Sequence, residues 1–94
     1  MAAIGVLTLE LRIEHAHSLK EKRHVVKSLK DRLRGKFNVS VAEIGDMDLH
    51  NSSVIAAAVV SSSRPFAEKV LQSVEREAAG LLGPLLIRTG TEWL

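Results

Sequence analysis

Residues 5–36 read GVLTLELRIEHAHSLKEKRHVVKSLKDRLRGK, and two different periodicities meet within them. Between Gly5 and Glu14 an apolar residue stands at every second position, which is typical of a strand with one buried face. After Ser18 the apolar spacing changes to three and four residues, which is typical of a helix that packs on a sheet. This stretch therefore predicts a strand followed by a helix. The apolar strand positions are Leu7, Leu9, Leu11 and Ile13.

The start of the helix is marked by Ser18 followed three residues later by Glu21, the spacing of a capping box. Gly35 is expected to supply a left-handed residue that ends the helix. Lys22 falls inside the apolar arc, so we expect it to extend out of the core edge or to face a partner. The predicted apolar stripe consists of Leu19, Val25, Val26, Leu29 and Leu33.

The middle of the chain has the pattern of a β-hairpin. A short strand is predicted over residues 37–44, and a turn rich in Gly and Asp follows it. The next strand, over residues 52–62, is apolar at nearly every position, which is typical of a strand covered on both faces. We therefore expect this strand to be central in the sheet.

A second helix and a last strand complete the chain. Ser63 is placed to cap the helix with Pro65 in its first turn, and Gly80 is expected to end it. Its predicted buried stripe consists of Phe66, Val70, Leu71, Val74 and Ala78. The last strand is predicted over residues 85–89, and residues 91–94 are expected to form a tail that carries Trp93.

The predicted order β-α-β-β-α-β defines an α+β, ferredoxin-like fold in one domain over residues 1–94. It is a four-stranded antiparallel sheet of order 4-1-3-2 with both helices on one face. The other face of the central strand then needs a cover, and the simplest cover is a second copy of the chain. We therefore expect a homo-oligomer, a dimer in the simplest case. Its expected interface consists of Ile55, Ala56, Ala57, Ala58, Val59 and Val60.

Two segments carry a family resemblance: HSLKEKR at residues 17–23 and NVSVAEIGDMDLH at residues 38–50. Both closely resemble the YlxP-like family of small bacterial proteins, a domain family of unknown function, and the resemblance runs nearly end to end. It implies a ferredoxin-like fold and a gene neighbourhood among translation-initiation and ribosome-maturation factors. It implies no catalytic residue.

Charge is distributed unevenly along the chain. Residues 18–36 hold eight of the thirteen Lys and Arg residues and two acids, so they carry +6 while the other 75 residues carry −4. Such asymmetry favours a polyanionic partner. Five of these cations form a stripe about 21 Å long on one side of the helix, which we call the basic ridge. Its members are Lys20, Arg23, Lys27, Lys30 and Arg34.

The basic ridge predicts a protein that binds structured RNA or a ribosomal particle through phosphates. The two predicted central strands carry no aromatic residue, so stacking of unpaired bases is not the expected mode. Two alternatives stay open. The ridge is equally compatible with a solvated helix face, and the apolar sheet face is compatible with a protein-interaction module that has no nucleic-acid ligand.

Catalytic and cofactor signals are absent from the sequence. There is no cysteine, no nucleophile-elbow motif and no phosphate-cradling glycine loop, so we expect a non-catalytic protein without a cofactor. A string of possible oxygen and imidazole ligands occurs around the hairpin turn, but its Asp and Gly residues are also usual turn formers, so no metal is expected. The string is Glu43, Asp46, Asp48 and His50. No signal peptide or long apolar run occurs, so we expect a cytoplasmic protein without a membrane contact.

Overall fold

The computed structural model describes residues 1–94 and has the predicted element order β-α-β-β-α-β. Its strands are β1 (Ala3–Arg12), β2 (Ser40–Gly45), β3 (Ser52–Ser61) and β4 (Leu86–Trp93), and its helices are α1 (Leu19–Lys36) and α2 (Arg64–Leu82). A 3-10 turn over Gly83–Leu85 joins α2 to β4. Neither helix is long and apolar enough to span a bilayer.

The four strands form one antiparallel sheet in the order β2-β3-β1-β4, which confirms the predicted 4-1-3-2 arrangement. The strands β1 and β3 are central, and β2 and β4 are the edges. In the register, Leu7 of β1 lies opposite Ala57 of β3 on one side and Thr91 of β4 on the other. Side chains at these paired positions point to the same face of the sheet.

The core lies between this face and the two helices. Leu9 and Ile55 from the sheet pack in one cluster with Leu29 of α1 and Val74 of α2, and all four are fully buried. Each such side chain contributes about 1.5–3 kcal/mol by leaving water. The alternation predicted for β1 is confirmed, because the four predicted positions are all buried: Leu7, Leu9, Leu11 and Ile13.

Both predicted helix ends were wrong. Gly35 lies within α1 and has no positive φ, and the helix ends after Lys36 when Phe37 takes an extended conformation. Gly80 lies within α2, which continues to Leu82 and so buries one more apolar residue. The glycine with a positive φ is Gly83, with φ of 56° and ψ of −128°.

The aromatic residues of the second half of the chain also differ from the prediction. Phe66 was predicted to be in the buried stripe, but it is 59% exposed, and Ala67 takes the buried position. Trp93 is not in a tail, because β4 continues to it and places it opposite Gly5 of β1. The missing Cβ of Gly5 makes room for the indole ring: an added Cβ would lie 2.6 Å from Cζ3 of Trp93.

The apolar residues of β3 divide between two faces, which corrects the interface predicted for this strand. Ile55, Ala57 and Val59 are buried beneath the helices and are not available to a partner. The alternation of a strand places Ala56, Ala58 and Val60 on the opposite, helix-free face, which we call the outer face. Of the predicted interface, only these three residues belong to an accessible surface.

Candidate nucleic-acid interface

Lys22 is the cation of α1 that lies inside the protein, with 1% of its surface exposed. Its Nζ lies 3.0 Å from Oε2 of Glu43 in β2. The same ammonium group donates to the carbonyl oxygens of Asp46 at 2.6 Å and Ser52 at 3.0 Å. Ser53 Oγ donates to Glu43 Oε2 at 2.6 Å, so every member of this buried group has a partner. The expectation that Lys22 extends outward was therefore wrong.

The Lys22 contacts join the two segments that carry the family resemblance. Lys22 belongs to residues 17–23, while Glu43 and Asp46 belong to residues 38–50. Asp46 has φ of 58°, an uncommon conformation for a residue other than glycine. Since Lys22 binds its carbonyl group, the ammonium holds the hairpin turn in this shape. The sequence indicates the unusual position of Lys22 but not its partners, which lie 21 to 30 residues further along the chain.

A second group of cations on α1 faces α2. Arg32 Nη1 lies 2.9 Å from Glu77 Oε2, and Lys36 Nζ lies 2.9 Å from Glu77 Oε1. The hydrogen bonds from Lys36 and from Arg32 lower the pKa of Glu77 below its ordinary value. These two cations connect the helices, so we exclude them from the candidate interface.

The basic ridge occupies the opposite flank of α1, toward β2. A shallow groove there is lined by Arg23, Lys27, Lys30 and Arg34, together with Asp31 and Glu43. Lys20 lies one turn before this groove, on a neighbouring surface that also includes Arg23 and Lys27. The structure therefore brings the five predicted ridge residues onto one continuous surface, of which only Lys30 is partly buried.

Two members of the basic ridge have partners within the protein. Lys27 Nζ lies 2.6 Å from Asp31 Oδ2, and its hydrogen bond is the main cause of the lowered pKa of Asp31. Arg34 Nη2 donates to the carbonyl oxygen of Val41 in β2 at 2.6 Å. By contrast, Lys20, Arg23 and Lys30 take part in none of the salt bridges or side-chain hydrogen bonds of the structure. These three are the cations most directly available to a ligand.

The possible ligand string of the hairpin does not come together as a metal site. Glu43 is bound to Lys22 and Ser53, while Asp46, Asp48 and His50 are exposed. The structure brings together no group of three or more His, Asp or Glu side chains suited to a metal ion.

The sequence profile of a protein family described as "Protein of unknown function (DUF503)" matches residues 4–82. The chain belongs to the DUF503 family. Among curated proteins, this DUF503 chain is 48% identical over 71 residues to the uncharacterized protein YlxP of Bacillus subtilis. That match covers 76% of this chain and 77% of the relative.

Solved structures similar to this DUF503 protein share its fold. The de novo designed protein LFR1 1, described as having a ferredoxin fold, gives a TM-score of 0.55 at 12% identity, covering 100% of this chain and 84% of the design. A dimeric ferredoxin-like protein of unknown function from Thermobifida fusca gives 0.51 at 12% identity, covering 97% and 90%. At such low identity these similarities support the ferredoxin-like fold alone.

The part of the chain that matches the DUF503 profile contains the whole of α1 and the β2–β3 hairpin. It therefore includes the basic ridge and the buried Lys22–Glu43 pair. The strand β4 begins at Leu86, beyond the matched residues.

Proposed function

We propose that this DUF503 protein is a cytoplasmic, non-catalytic accessory factor that binds structured RNA, free or within a ribosomal particle, through the basic ridge. The observation that supports this most directly is that Lys20, Arg23 and Lys30 have no acidic partner within the protein. These three cations lie on one flank of α1, whereas Arg32 and Lys36 on the other flank are paired with Glu77. Since unpaired cations on one surface repel each other, they favour a polyanionic ligand.

The length of the ridge suits several successive phosphates. It extends about 21 Å along α1, and neutralised phosphates release counterions, so binding weakens as salt rises. Arg23 can contact phosphate oxygens through two N–H groups at once, while Lys20 and Lys30 act as compact charges. Because Lys27 and Arg34 already have internal partners, we expect three to four phosphate contacts. The expected slope of log affinity against log salt is then roughly −2 to −4.

Recognition is expected to follow the shape and the backbone of the RNA rather than its bases. In the RNA-binding domains that share this topology, aromatic residues on the two central strands stack unpaired bases. Here the outward positions of β1 and β3 carry no aromatic residue, and Trp93 packs over Gly5 on the helix side of the sheet. A folded RNA helix therefore suits this protein better than a single strand.

A filter-binding titration of an rRNA hairpin against salt tests the proposal. The double variant Arg23→Gln and Lys30→Gln removes two ridge charges, so the slope should become less negative by about two. The control is Lys69→Gln with Arg76→Gln, which removes two exposed cations from α2 and should leave the slope unchanged. A salt-independent wild type, or equal losses in both double variants, would contradict the proposal.

A substitution that is expected to strengthen RNA binding provides a second test. Asp31 holds Lys27 within the ridge groove, so Asp31→Asn removes a negative charge and releases a cation toward the RNA. We expect tighter binding and a slope more negative by about one. Weaker binding by Asp31→Asn would place the RNA on another surface.

A second candidate function is a homo-oligomeric interaction module that uses the outer face. Val60 is 67% exposed there, and Ala56 and Ala58 lie beside it. A sheet of this size has a flat footprint of roughly 550 Å² per copy, and its side chains bring the accessible area close to the ~800 Å² per partner of a standard interface. The similar fold from Thermobifida fusca is described as dimeric.

Light scattering on wild type and Ala58→Glu tests this second candidate. A dimer that becomes a monomer in the variant would support it, and a wild-type monomer at high concentration would contradict it. Ala57→Glu is unsuitable, because Ala57 is buried in the core of its own chain.

A further inference from the structure

A polar cleft separates α2 from β4 at the edge of the sheet opposite the basic ridge. It is lined by Glu68, Leu71, Gln72, Glu75, Thr91 and Trp93. In a layer where a helix covers a sheet, facing side chains are usually apolar, yet Thr89 and Thr91 point toward α2 here. Thr89 Oγ1 donates to Glu75 Oε2 at 3.0 Å, and Thr91 is exposed. The helix therefore leaves this edge of the sheet open.

The chemistry of the cleft suits a cation on an aliphatic stem. Glu68 and Glu75 supply carboxylates, while Leu71 and the Trp93 ring supply apolar walls. Arg64 of the same chain already contacts both an aromatic ring and a carboxylate at the rim of the cleft. The guanidinium carbon of Arg64 lies 4.1 Å from the Trp93 ring centroid, and its Nε lies 3.2 Å from Glu68 Oε1. Aromatic faces and carboxylates together favour Arg and Lys and repel phosphates.

The free edge of β4 lies beside the cleft. Leu94 N–H donates to the carbonyl oxygen of Ile4, and antiparallel pairs alternate between bonded and non-bonded positions. By this alternation, the backbone groups of Thr89, Thr91 and Trp93 point away from β1, toward the open edge. Their side chains lie on the cleft side of the sheet.

The two edges of the sheet differ in how open they are to the addition of another strand. On β2, Arg34 occupies the outward carbonyl oxygen of Val41, and such a bond hinders the addition of another strand. On β4, no side chain of the protein bonds to an outward backbone group. The β4 edge is therefore the side of the sheet on which an extended segment can be added.

We propose that an extended basic peptide segment of a partner protein binds here, adding a strand to β4 and placing one Arg or Lys side chain in the cleft. A peptide residue that exchanges hydrogen bonds with Thr91 has its side chain on the same face as Thr91, which is the cleft side. Backbone hydrogen bonds then supply affinity, and the cation supplies selectivity.

Fluorescence of Trp93, the single tryptophan, reports on this cleft directly. The probe is an acetylated and amidated pentapeptide, valine-threonine-arginine-threonine-valine, and its matched control has uncharged citrulline in place of arginine. We expect a saturable change with the arginine peptide and an affinity about fivefold lower with citrulline, as for one exposed ion pair. Equal responses to both peptides would overturn the proposal.

Two sets of variants separate the cleft from the edge. Glu68→Gln with Glu75→Gln should lower affinity for the arginine peptide and leave the citrulline peptide unaffected. The matched control is Glu10→Gln with Glu92→Gln, which removes two carboxylates from the outer face. This control should leave the affinities for both peptides unchanged. If the control pair weakens binding as much as the cleft pair, the cleft is not the site.

Thr91→Pro tests the strand addition. Its N–H points to the open edge, so proline removes a donor without removing a bond to β1. We expect an unchanged circular dichroism spectrum and lost binding of both peptides. Retained binding in this folded variant would overturn the strand addition. Self-association of the wild type would also overturn the proposal if it rises with concentration and neither peptide displaces it, because the edge would then bind a second copy of the chain.

Discussion

Lys22 of α1 and Glu43 of β2 form an ion pair in which the lysine is buried and the glutamate is partly buried, with Nζ 3.0 Å from Oε2. The other hydrogen bonds of the ammonium group go to carbonyl oxygens around the β2–β3 turn. One side chain thus connects the first turns of the helix that carries the basic ridge to the hairpin that flanks the ridge groove.

Replacing Lys22 by Met should destabilise the protein strongly. The change leaves Glu43 without its cation and removes the donor from the carbonyl groups of Asp46 and Ser52. Breaking a fully buried pair costs about 3–5 kcal/mol of unfolding free energy, and we expect the lower end of this range because Glu43 is partly exposed. Urea unfolding measures the loss, and Lys20→Met, at an exposed position two residues earlier, should change it by less than about 0.5 kcal/mol. Similar effects of both substitutions would show that the buried pair is not a major source of stability.

Gly5→Ala should disturb the packing of Trp93. An added Cβ would lie 2.6 Å from Cζ3 of Trp93 and 2.9 Å from Cδ1 of Leu71, which forces the indole to move. Overpacking of this kind costs about 1–3 kcal/mol. Thermal unfolding together with the Trp93 emission maximum measures both effects. An unchanged emission maximum and an unchanged midpoint would contradict the close contact.

The glycines of the two helix ends should respond in opposite directions. Gly35 is helical with open space around it, so Gly35→Ala should stabilise the protein by about 0.5–1 kcal/mol. Gly83 has φ of 56° and ψ of −128°, a combination that residues with a Cβ rarely adopt, so Gly83→Ala should destabilise it by about 1–3 kcal/mol. Denaturant midpoints of the two variants provide the measurement. Destabilisation by Gly35→Ala would instead support a left-handed stop at that residue.

The link between the helices should weaken in acid. Because hydrogen bonds from Lys36 and Arg32 lower the pKa of Glu77 from its ordinary 4.5, its stabilising contribution is present above pH 4.5 and is lost as pH falls through the lowered value. Unfolding free energies measured from pH 6 down to pH 2.5 should therefore fall less steeply for Glu77→Gln than for wild type. Identical pH profiles would show that this carboxylate does not contribute. A residual slope is expected from Asp31, whose pKa is also lowered, chiefly by Lys27.

Much of the fold could be predicted because it follows from local patterns. The alternation of β1, the Ser18 cap and the apolar stripe of α1 depend on neighbours within a few residues, and the structure confirms them in outline. The helix ends were less predictable. The helix α2 continues past Gly80 because the additional turn buries the side chain of Leu82 in the core. The predicted stripe of α2 is confirmed at Leu71, Val74 and Ala78, so its phase was right. It was wrong in the first turn, where Ala67 is buried and Phe66 is exposed.

The candidate site was predictable as a set of charges but not as a set of partners. Spacing along one helix is sufficient to place Lys20, Arg23 and Lys30 on one side. It does not show that Arg34 binds Val41, because that contact depends on how α1 lies against β2.

The sequence by itself determined the element order, the sheet topology and the stripe of positive charge, since each depends on periodicity and on spacing along the chain. The tertiary structure decided which cations remain free, that Lys22 is buried, which face of β3 is accessible and which sheet edge is protected. Those properties depend on residues that are distant in sequence and meet only when the helices pack on the sheet, where burial and hydrogen-bond geometry determine the partner of each group.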